Sequence, residues 1–200
     1  MNVAASSTCS LQSRSTGFSL VEVLVSIVVL SIGLLGMVGM QAASLQANRE
    51  ARLQSNAVVL ARELAEMIRG NKDIGVLHGT VNPYLGDFNT SPLAPAAPQY
   101  CLTSGCGDTT LIAKAQMTEW LARVNEQLPG ARVTSCFDST PYSSAGVGQW
   151  ACTNASTDDV IMIKIGWTRG ATDRSKTGAD ALERATTPAV VMPVTAGAAS

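Results

Sequence analysis

Hydrophobic residues are distributed very unevenly along this chain of 200 residues. The segment 18–40 contains sixteen apolar residues, three Gly, three Ser and a single charged residue, Glu22. In a helix, 23 residues at 1.5 Å each extend about 35 Å, which is enough to cross the hydrocarbon core of a bilayer. No later segment is comparable, so the pattern predicts one membrane-spanning helix, close to the N-terminus.

The pattern becomes amphipathic in the segment 41–69. Apolar residues recur there at helical spacings of four and three, while charged residues occupy much of the opposite surface. The apolar positions are Leu53, Ala57, Leu60, Leu64 and Met67. Gly70 and Asn71 form a natural helix end, and Arg69 suits the helix dipole. We therefore expect residues 18–69 to form one helix of about 78 Å, with its second half packed on the rest of the protein.

The remainder of the chain predicts a small α+β head. Proline and glycine residues favour an irregular loop over residues 70–108, and a helical pattern returns at 109–127. Three β-type runs then follow, separated by polar turns: Ala131–Phe137, Val160–Thr168 and Ala189–Val194. The predicted fold is a long N-terminal α-helix packed on an antiparallel sheet of three or four strands, with Trp120 and Trp167 in the core.

The residues in front of the apolar segment do not look like an ordinary secretory signal. Residues 1–16 are polar, whereas a secretory signal has its apolar core before the cleavage site. Here the apolar core begins directly after Gly17, so cleavage behind it would remove the most distinctive part of the protein. Cys9 is not a lipoprotein anchor either, because no apolar run precedes it. The pattern of an ordinary secretory signal therefore does not describe residues 1–17.

The run Gly17-Phe18-Ser19-Leu20-Val21-Glu22, followed by an apolar helix, resembles the processing site of type IV prepilins. The resemblance implies that a prepilin peptidase cuts between Gly17 and Phe18 and methylates the new amine. It also implies that Glu22 pairs with the Phe18 ammonium of a neighbouring subunit. A carboxylate costs about 2.5–3.5 kcal/mol near the centre of a membrane helix, so Glu22 should have a partner. The alternative is an ordinary single-span anchor that tolerates Glu22 near the interface.

Further blocks resemble the PilV-type minor pilins. They are Gly33–Gly36, Gln41–Leu45, Glu63–Asn71, Trp120, Leu128–Ala131 and Trp167. The resemblance implies a pilin-like α+β fold and four regions: a leader (1–17), a transmembrane half-helix (18–40), an amphipathic half-helix (41–70) and a periplasmic head (71–200).

The same resemblance implies a function. The protein would be a minor pilin, held by inner-membrane lipid with its head in the periplasm, which then joins other minor pilins and the major pilin to start pilus assembly. Twitching motility and adhesion would depend on it indirectly. Two alternatives stay open: a minor pseudopilin of a type II secretion system, and a single-span periplasmic adhesin or receptor.

Four cysteines lie in the polar part of the chain, where an export segment favours disulfides over free thiols. Four cysteines allow three pairings. Cys101 and Cys106 flank a short turn-forming stretch, and Cys136 and Cys152 can meet at the edge of the sheet. We therefore expect Cys101–Cys106 and Cys136–Cys152. Crossed pairings would tie the Pro-rich loop to the sheet across the helix between them.

Composition argues against other classes of function. The chain has 14 basic and 15 acidic residues and only 4% aromatic residues, so no basic or stacking surface for nucleic acid is expected. His78 is the single histidine and there is no CxxC motif, which disfavours a metal site. No arrangement of a nucleophile and a base stands out. We expect no enzyme activity, no cofactor and no small-molecule substrate.

Overall fold

The computed structural model describes residues 17–156, 159–170, 175 and 182–197. The chain divides into two compact units, Met1–Ala47 and Asn48–Ser200. The expected leader, with Cys9, lies outside the described residues except for Gly17. Helix α1 (Leu20–Gly70) contributes to both units.

The described part of the first unit is the start of α1. The carbonyl of Ser19 accepts hydrogen bonds from the backbone N–H groups of Glu22 (3.0 Å) and Val23 (3.3 Å), so the helix begins at Leu20 rather than at Phe18. At the other end, the N–H of Asn71 donates to the carbonyl of Met67 over 3.1 Å. The helix therefore runs to Gly70, one residue beyond the predicted end.

The second unit holds the remaining elements. Its short helices are α2 (Lys72–Gly75), a 3₁₀ turn (Gly79–Val81) and α3 (Cys101–Ser104), and its second long helix is α4 (Thr109–Gln127). Its strands are β1 (Gly86–Phe88), β2 (Arg132–Phe137), β3 (Ile161–Gly166), β4 (Arg169–Gly170), β5 (Leu182–Glu183) and β6 (Val190–Val194). Four of them form an antiparallel sheet in the order β1-β2-β3-β6, and β4 pairs with β5.

Helix α4 has the predicted bounds, and local chemistry explains both ends. The carboxylate of Asp108 accepts a hydrogen bond from the N–H of Leu111 (2.8 Å), which caps the first turn. The helix stops before Pro129, which cannot continue it. Within the second unit, α4 lies on α1: the indole N–H of Trp120 donates to the Leu60 carbonyl over 3.0 Å, and Arg123 pairs with Glu63.

One hydrophobic core joins α4 and the C-terminal part of α1 to the sheet. The α1 residues that are buried there are Ala57, Leu60, Ala61, Leu64, Ala65 and Ile68, while the predicted Leu53 and Met67 are half-buried at its margin. Ile161, Ile163 and Ile165 alternate along β3 and point into this core. Trp120 and Trp167 are fully buried, as predicted.

The opposite face of the sheet is polar. Asp87, Thr134 and Lys164 are direct neighbours across β1, β2 and β3 in the strand register. Thr134 and Lys164 are nevertheless buried, because the loop of residues 138–153 lies over this face and holds Lys164 by a hydrogen bond. We call residues 138–153 the covering loop.

Candidate functional site

The first sequence-predicted site is the junction between Gly17 and Phe18, which the structure places on the surface. Gly17 is exposed, and an added Cβ at this position would have no heavy atom of the described residues within 4 Å. Phe18 is 83% exposed and precedes the first helical residue. The peptide bond between them is therefore accessible and lies outside the helix, where a peptidase can hold it in extended form.

Glu22 lies in the first turn of α1. A negative charge at this position interacts favourably with the helix dipole. Phe18 and Glu22 line one shallow depression of about 250 Å³ on the same side of the chain, together with apolar residues of the next two turns. The structure thus brings together the two residues that the sequence singled out, four positions apart.

Among the described residues of its unit, the segment that follows Glu22 has no apolar partner. Every large apolar side chain from Phe18 to Met40 is exposed, and the most apolar 18-residue window has a mean hydropathy of 2.6 with none of it buried. Ser26 and Ser31 donate their hydroxyl hydrogens to carbonyls one turn earlier, both over 2.7 Å. Such internal bonds lower the cost of placing a hydroxyl in lipid. By length and composition, this helix can cross a membrane.

Comparison with known protein families decides what this segment belongs to. Residues 12–38 match the model of the prokaryotic N-terminal methylation motif, and residues 39–117 match the model of the type IV pilin Tt1218 family. The two matches adjoin and together cover just over half of the chain. The chain is a type IV pilin. No curated protein and no solved structure matches it.

Membership agrees with the architecture of this pilin, a long N-terminal helix packed on a small antiparallel sheet. The methylation motif implies that a prepilin peptidase processes the chain and that it assembles with other pilins. The motif and the exposed apolar helix together indicate a membrane-anchored pilin.

The head of the pilin contains both expected disulfides. Cys101 and Cys106 close the single turn of α3, with their Cα atoms 5.0 Å apart. Cys136 of β2 joins Cys152 of the covering loop, with a Cα–Cα distance of 6.3 Å. In the strand register Cys136 lies on the polar face of the sheet, so this second disulfide fastens the covering loop to that face.

A buried ion pair lies beside the second disulfide. The Nζ of Lys164 donates to Oδ2 of Asp138 over 2.5 Å and to the carbonyl of Ala151 over 2.6 Å, and both charged side chains are 0% exposed. Burial raises the pKa of Asp138. This effect is outweighed by hydrogen bonds from Lys164 and from the N–H groups of Thr153 and Thr140, and by the positive charge of Lys164. The net effect is a pKa below the ordinary value of 3.8.

Besides its ion pair with Lys164, Asp138 also holds the covering loop in place. Its second oxygen accepts the N–H groups of Thr140 and Thr153, both at 3.0 Å, which holds the two ends of the loop together. Sequence reasoning did not find this pair. The alternation of Ile161, Ile163 and Ile165 does place Lys164 on the other face of the strand, but nothing in the pattern shows that a loop covers that face.

The described side chains of the head do not form a metal site. In residues 17–156, 159–170, 175 and 182–197, no group of three His, Cys, Asp or Glu side chains could hold a metal ion. His78 stacks on Phe137 with the ring centroids 3.8 Å apart, which is a packing contact. Several polar groups of the head, among them Asp138 and Lys164, instead make hydrogen bonds and an ion pair that fix the covering loop to the sheet.

Proposed function

We propose that this pilin is a PilV-type minor pilin, which joins other minor pilins and the major pilin to start pilus assembly. Before assembly it is anchored in the inner membrane with its head in the periplasm. Type IV pilins are structural subunits, and the proposal gives the chain no catalytic role. The blocks Gly33–Gly36, Gln41–Leu45 and Glu63–Asn71 support the PilV type over a major pilin.

One observation carries the proposal. The methylation-motif match ends at residue 38, inside the apolar segment 18–40, whose large apolar side chains are all exposed. A chain in water cannot leave so much apolar surface uncovered, because burial is worth about 25 cal/mol per Å². Lipid can cover it before assembly, and the helices of neighbouring subunits can cover it afterwards. The same segment then serves both as the anchor and as the contact between subunits.

Glu22 has a specific place in this proposal. Cleavage after Gly17 creates an ammonium group at Phe18, and Phe18 lines the same surface depression as Glu22. In the fibre, the carboxylate of one subunit pairs with the Phe18 ammonium of its neighbour. Because both charges are costly in an apolar environment, they favour association when they meet.

The mature N-terminus tests the proposal most directly. Mass spectrometry of the membrane-extracted protein should find N-methylated Phe18 as its first residue. Gly17→Leu should leave the chain uncut and Gly17→Ala should be cut in part, because the peptidase has to accept the residue before the cut. In the part of the chain that the structure describes, no heavy atom lies within 4 Å of the added Cβ, so neither change should disturb the fold. A mature chain that begins after residue 40 would refute the proposal.

Deletion of the gene separates the remaining alternatives. A minor pilin should be required for surface pili, while protein secretion continues. Loss of type II secretion with normal piliation would instead identify a pseudopilin. If the leader is never cut at Gly17, the chain is a single-span adhesin or receptor.

A further inference from the structure

A small pocket opens at one edge of the polar face of the sheet. It has a volume of about 320 Å³ and is lined by Asn89, Gly130, Arg132, Arg184 and Ala185. The described residues of the lining contribute two guanidinium groups and no carboxylate. Pockets that hold organic ligands start at about 300 Å³, so this one suits a small molecule or a single functional group of a larger one.

The position of Arg132 is fixed from two sides. Its Nε and Nη2 donate to the carboxylate of Asp87 over 3.3 and 3.1 Å, and its guanidinium lies 4.4 Å from the ring centre of Trp150. Trp150 can lie so close to the sheet because position 166 is a glycine: a Cβ there would be 2.9 Å from the indole. Arg132 is thus held rigidly, and binding a ligand costs little side-chain entropy.

Arg184 supplies the positive charge that Asp87 does not neutralise. Its Nη2 donates to the backbone carbonyl of Asn89 over 3.1 Å, which brings the last described segment of the chain to the rim of the pocket. A carbonyl fixes the guanidinium without cancelling its charge. In the described residues, no carboxylate lies within 4.0 Å of Arg184. Among the carboxylates of the described residues, Asp87 alone pairs with one of these two arginines, and it pairs with Arg132.

The geometry points to an oxyanion-binding site in the head, which takes a phosphate or carboxylate group through Arg184 and Arg132. A guanidinium matches either group because it presents parallel N–H donors, and an ionised acceptor makes these bonds about twice as strong as neutral ones. Since the chain as a whole carries a net charge of −1, general electrostatic attraction does not draw anions to it. Any binding of an oxyanion must therefore come from the arginine side chains of the pocket and not from the charge of the whole protein.

Trp150 provides a reporter for the test. The full chain, solubilised in a nonionic detergent and labelled with 5-fluorotryptophan, gives ¹⁹F resonances from its three tryptophans. A Trp150→Phe variant assigns the resonance beside Arg132. Inorganic phosphate and acetate are titrated separately, with sodium chloride at the same ionic strength as a reference. We expect a saturable shift of the Trp150 resonance with at least one oxyanion, while Trp120 and Trp167 stay unchanged.

Two matched variants decide whether the pocket is responsible. Arg184→Gln should weaken binding at least tenfold. Arg62→Gln removes the same charge from an exposed position on α1, on the other side of the sheet, and should leave binding unchanged. Circular dichroism melting curves confirm that both variants fold. The inference is overturned if neither oxyanion shifts the resonance, if sodium chloride shifts it equally, or if Arg184→Gln binds as well as the parent chain.

Discussion

Two tryptophans show how much one hydrogen bond matters at the scale of a single residue. Trp120 and Trp167 are both fully buried. The indole N–H of Trp120 donates to Leu60, whereas that of Trp167 has no hydrogen-bond acceptor within the described part of the chain. A buried N–H without a partner contributes nothing to offset its desolvation. The two side chains therefore fill similar volumes in the core, but only Trp120 adds a hydrogen bond to the stability of the fold.

We expect Trp120→Phe to lower the free energy of unfolding by about 1 kcal/mol more than Trp167→Phe does. Both changes remove similar buried area, but only the first removes a hydrogen bond. The guanidinium of Arg169 lies 4.9 Å from the ring centre of Trp167, and a phenyl ring retains that contact. Chemical unfolding of both variants in the same detergent gives the comparison. Equal losses would show that the bond to Leu60 has no net value.

The ion pair between Lys164 and Asp138 is fully buried in the head. Lys164→Met leaves a buried carboxylate without its cation, and we expect a loss of about 3–5 kcal/mol in the free energy of unfolding. Asp138→Asn combined with Lys164→Met removes both charges, so the double variant should be more stable than the sum of the single changes predicts. Strictly additive changes in chemical unfolding would contradict a coupled pair.

The pH dependence of stability follows from the lowered pKa of Asp138. The folded state holds this carboxyl ionised, so its contribution is fully present above the ordinary pKa of 3.8 and is lost as the pH falls through the lower folded value. The parent chain should therefore lose unfolding free energy below about pH 4, more steeply than Asp138→Asn. Carboxyl groups titrate between about pH 2 and about pH 7, so unfolding curves recorded over this range measure the difference. Parallel pH profiles would contradict it.

At the scale of an element, the two disulfides restrain very different segments. Cys101–Cys106 spans 5 residues and Cys136–Cys152 spans 16. In the chain-entropy account these loops contribute about 2 and about 3 kcal/mol. The longer one also holds the covering loop over Lys164, so its loss exposes the ion pair to water.

Replacing Cys136 and Cys152 together by Ser should therefore lower the midpoint of thermal unfolding more than replacing Cys101 and Cys106 together. The expected difference in unfolding free energy is at least about 1 kcal/mol. The two double variants serve as controls for each other, because each retains one disulfide. A smaller loss from the Cys136 and Cys152 variant would show that the covering loop is held by its hydrogen bonds alone.

The sequence predicted those elements whose burial pattern is periodic and long. Helix α4 has the predicted bounds, and β2, β3 and β6 lie within the predicted runs. The segment 70–108 was expected to be irregular, yet it contains β1. Three residues are too few to show alternation, and this edge strand forms because Phe88 reaches the core and Asp87 binds Arg132 and Thr134. Tertiary contacts, not local preference, make it a strand.

At the scale of the whole molecule, we expect Glu22 to act in assembly rather than in folding. Glu22→Val should leave membrane insertion unchanged or improved, because it removes a charge from the apolar segment. It should weaken incorporation into complexes with other pilins, which crosslinking detects. Glu63→Val serves as a matched control: it removes a carboxylate from the amphipathic half of α1, where Glu63 pairs with Arg123 of the head. Unchanged crosslinking and piliation in the Glu22 variant would contradict the proposed pair with Phe18.

The two sites of this pilin differ in how far the sequence predicts them. Gly17, Phe18 and Glu22 are adjacent in the chain, so their spacing alone places them together. The pocket of the head combines Asn89, which follows β1, with Gly130 and Arg132 at the start of β2 and with Arg184 and Ala185 of the last described segment, so its residues lie far apart in sequence. Arg132 and Arg184 meet only because the sheet orders β2 beside β1 and a carbonyl of Asn89 binds Arg184. No local pattern contains that information.

The covering loop has one more consequence, for how such chains can change over evolutionary time. The tip of the covering loop is a tight turn, in which the backbone N–H of Gly146 donates to the carbonyl of Ser143 over 2.9 Å. Residues 144–147 of this turn are exposed. The base of the loop is closed by the Cys136–Cys152 disulfide. Doubling the length of a flexible loop costs only about 0.6 kcal/mol when its ends are already held. Insertions at this turn can therefore accumulate, and vary from one lineage to the next, while the sheet beneath keeps its sequence and shape.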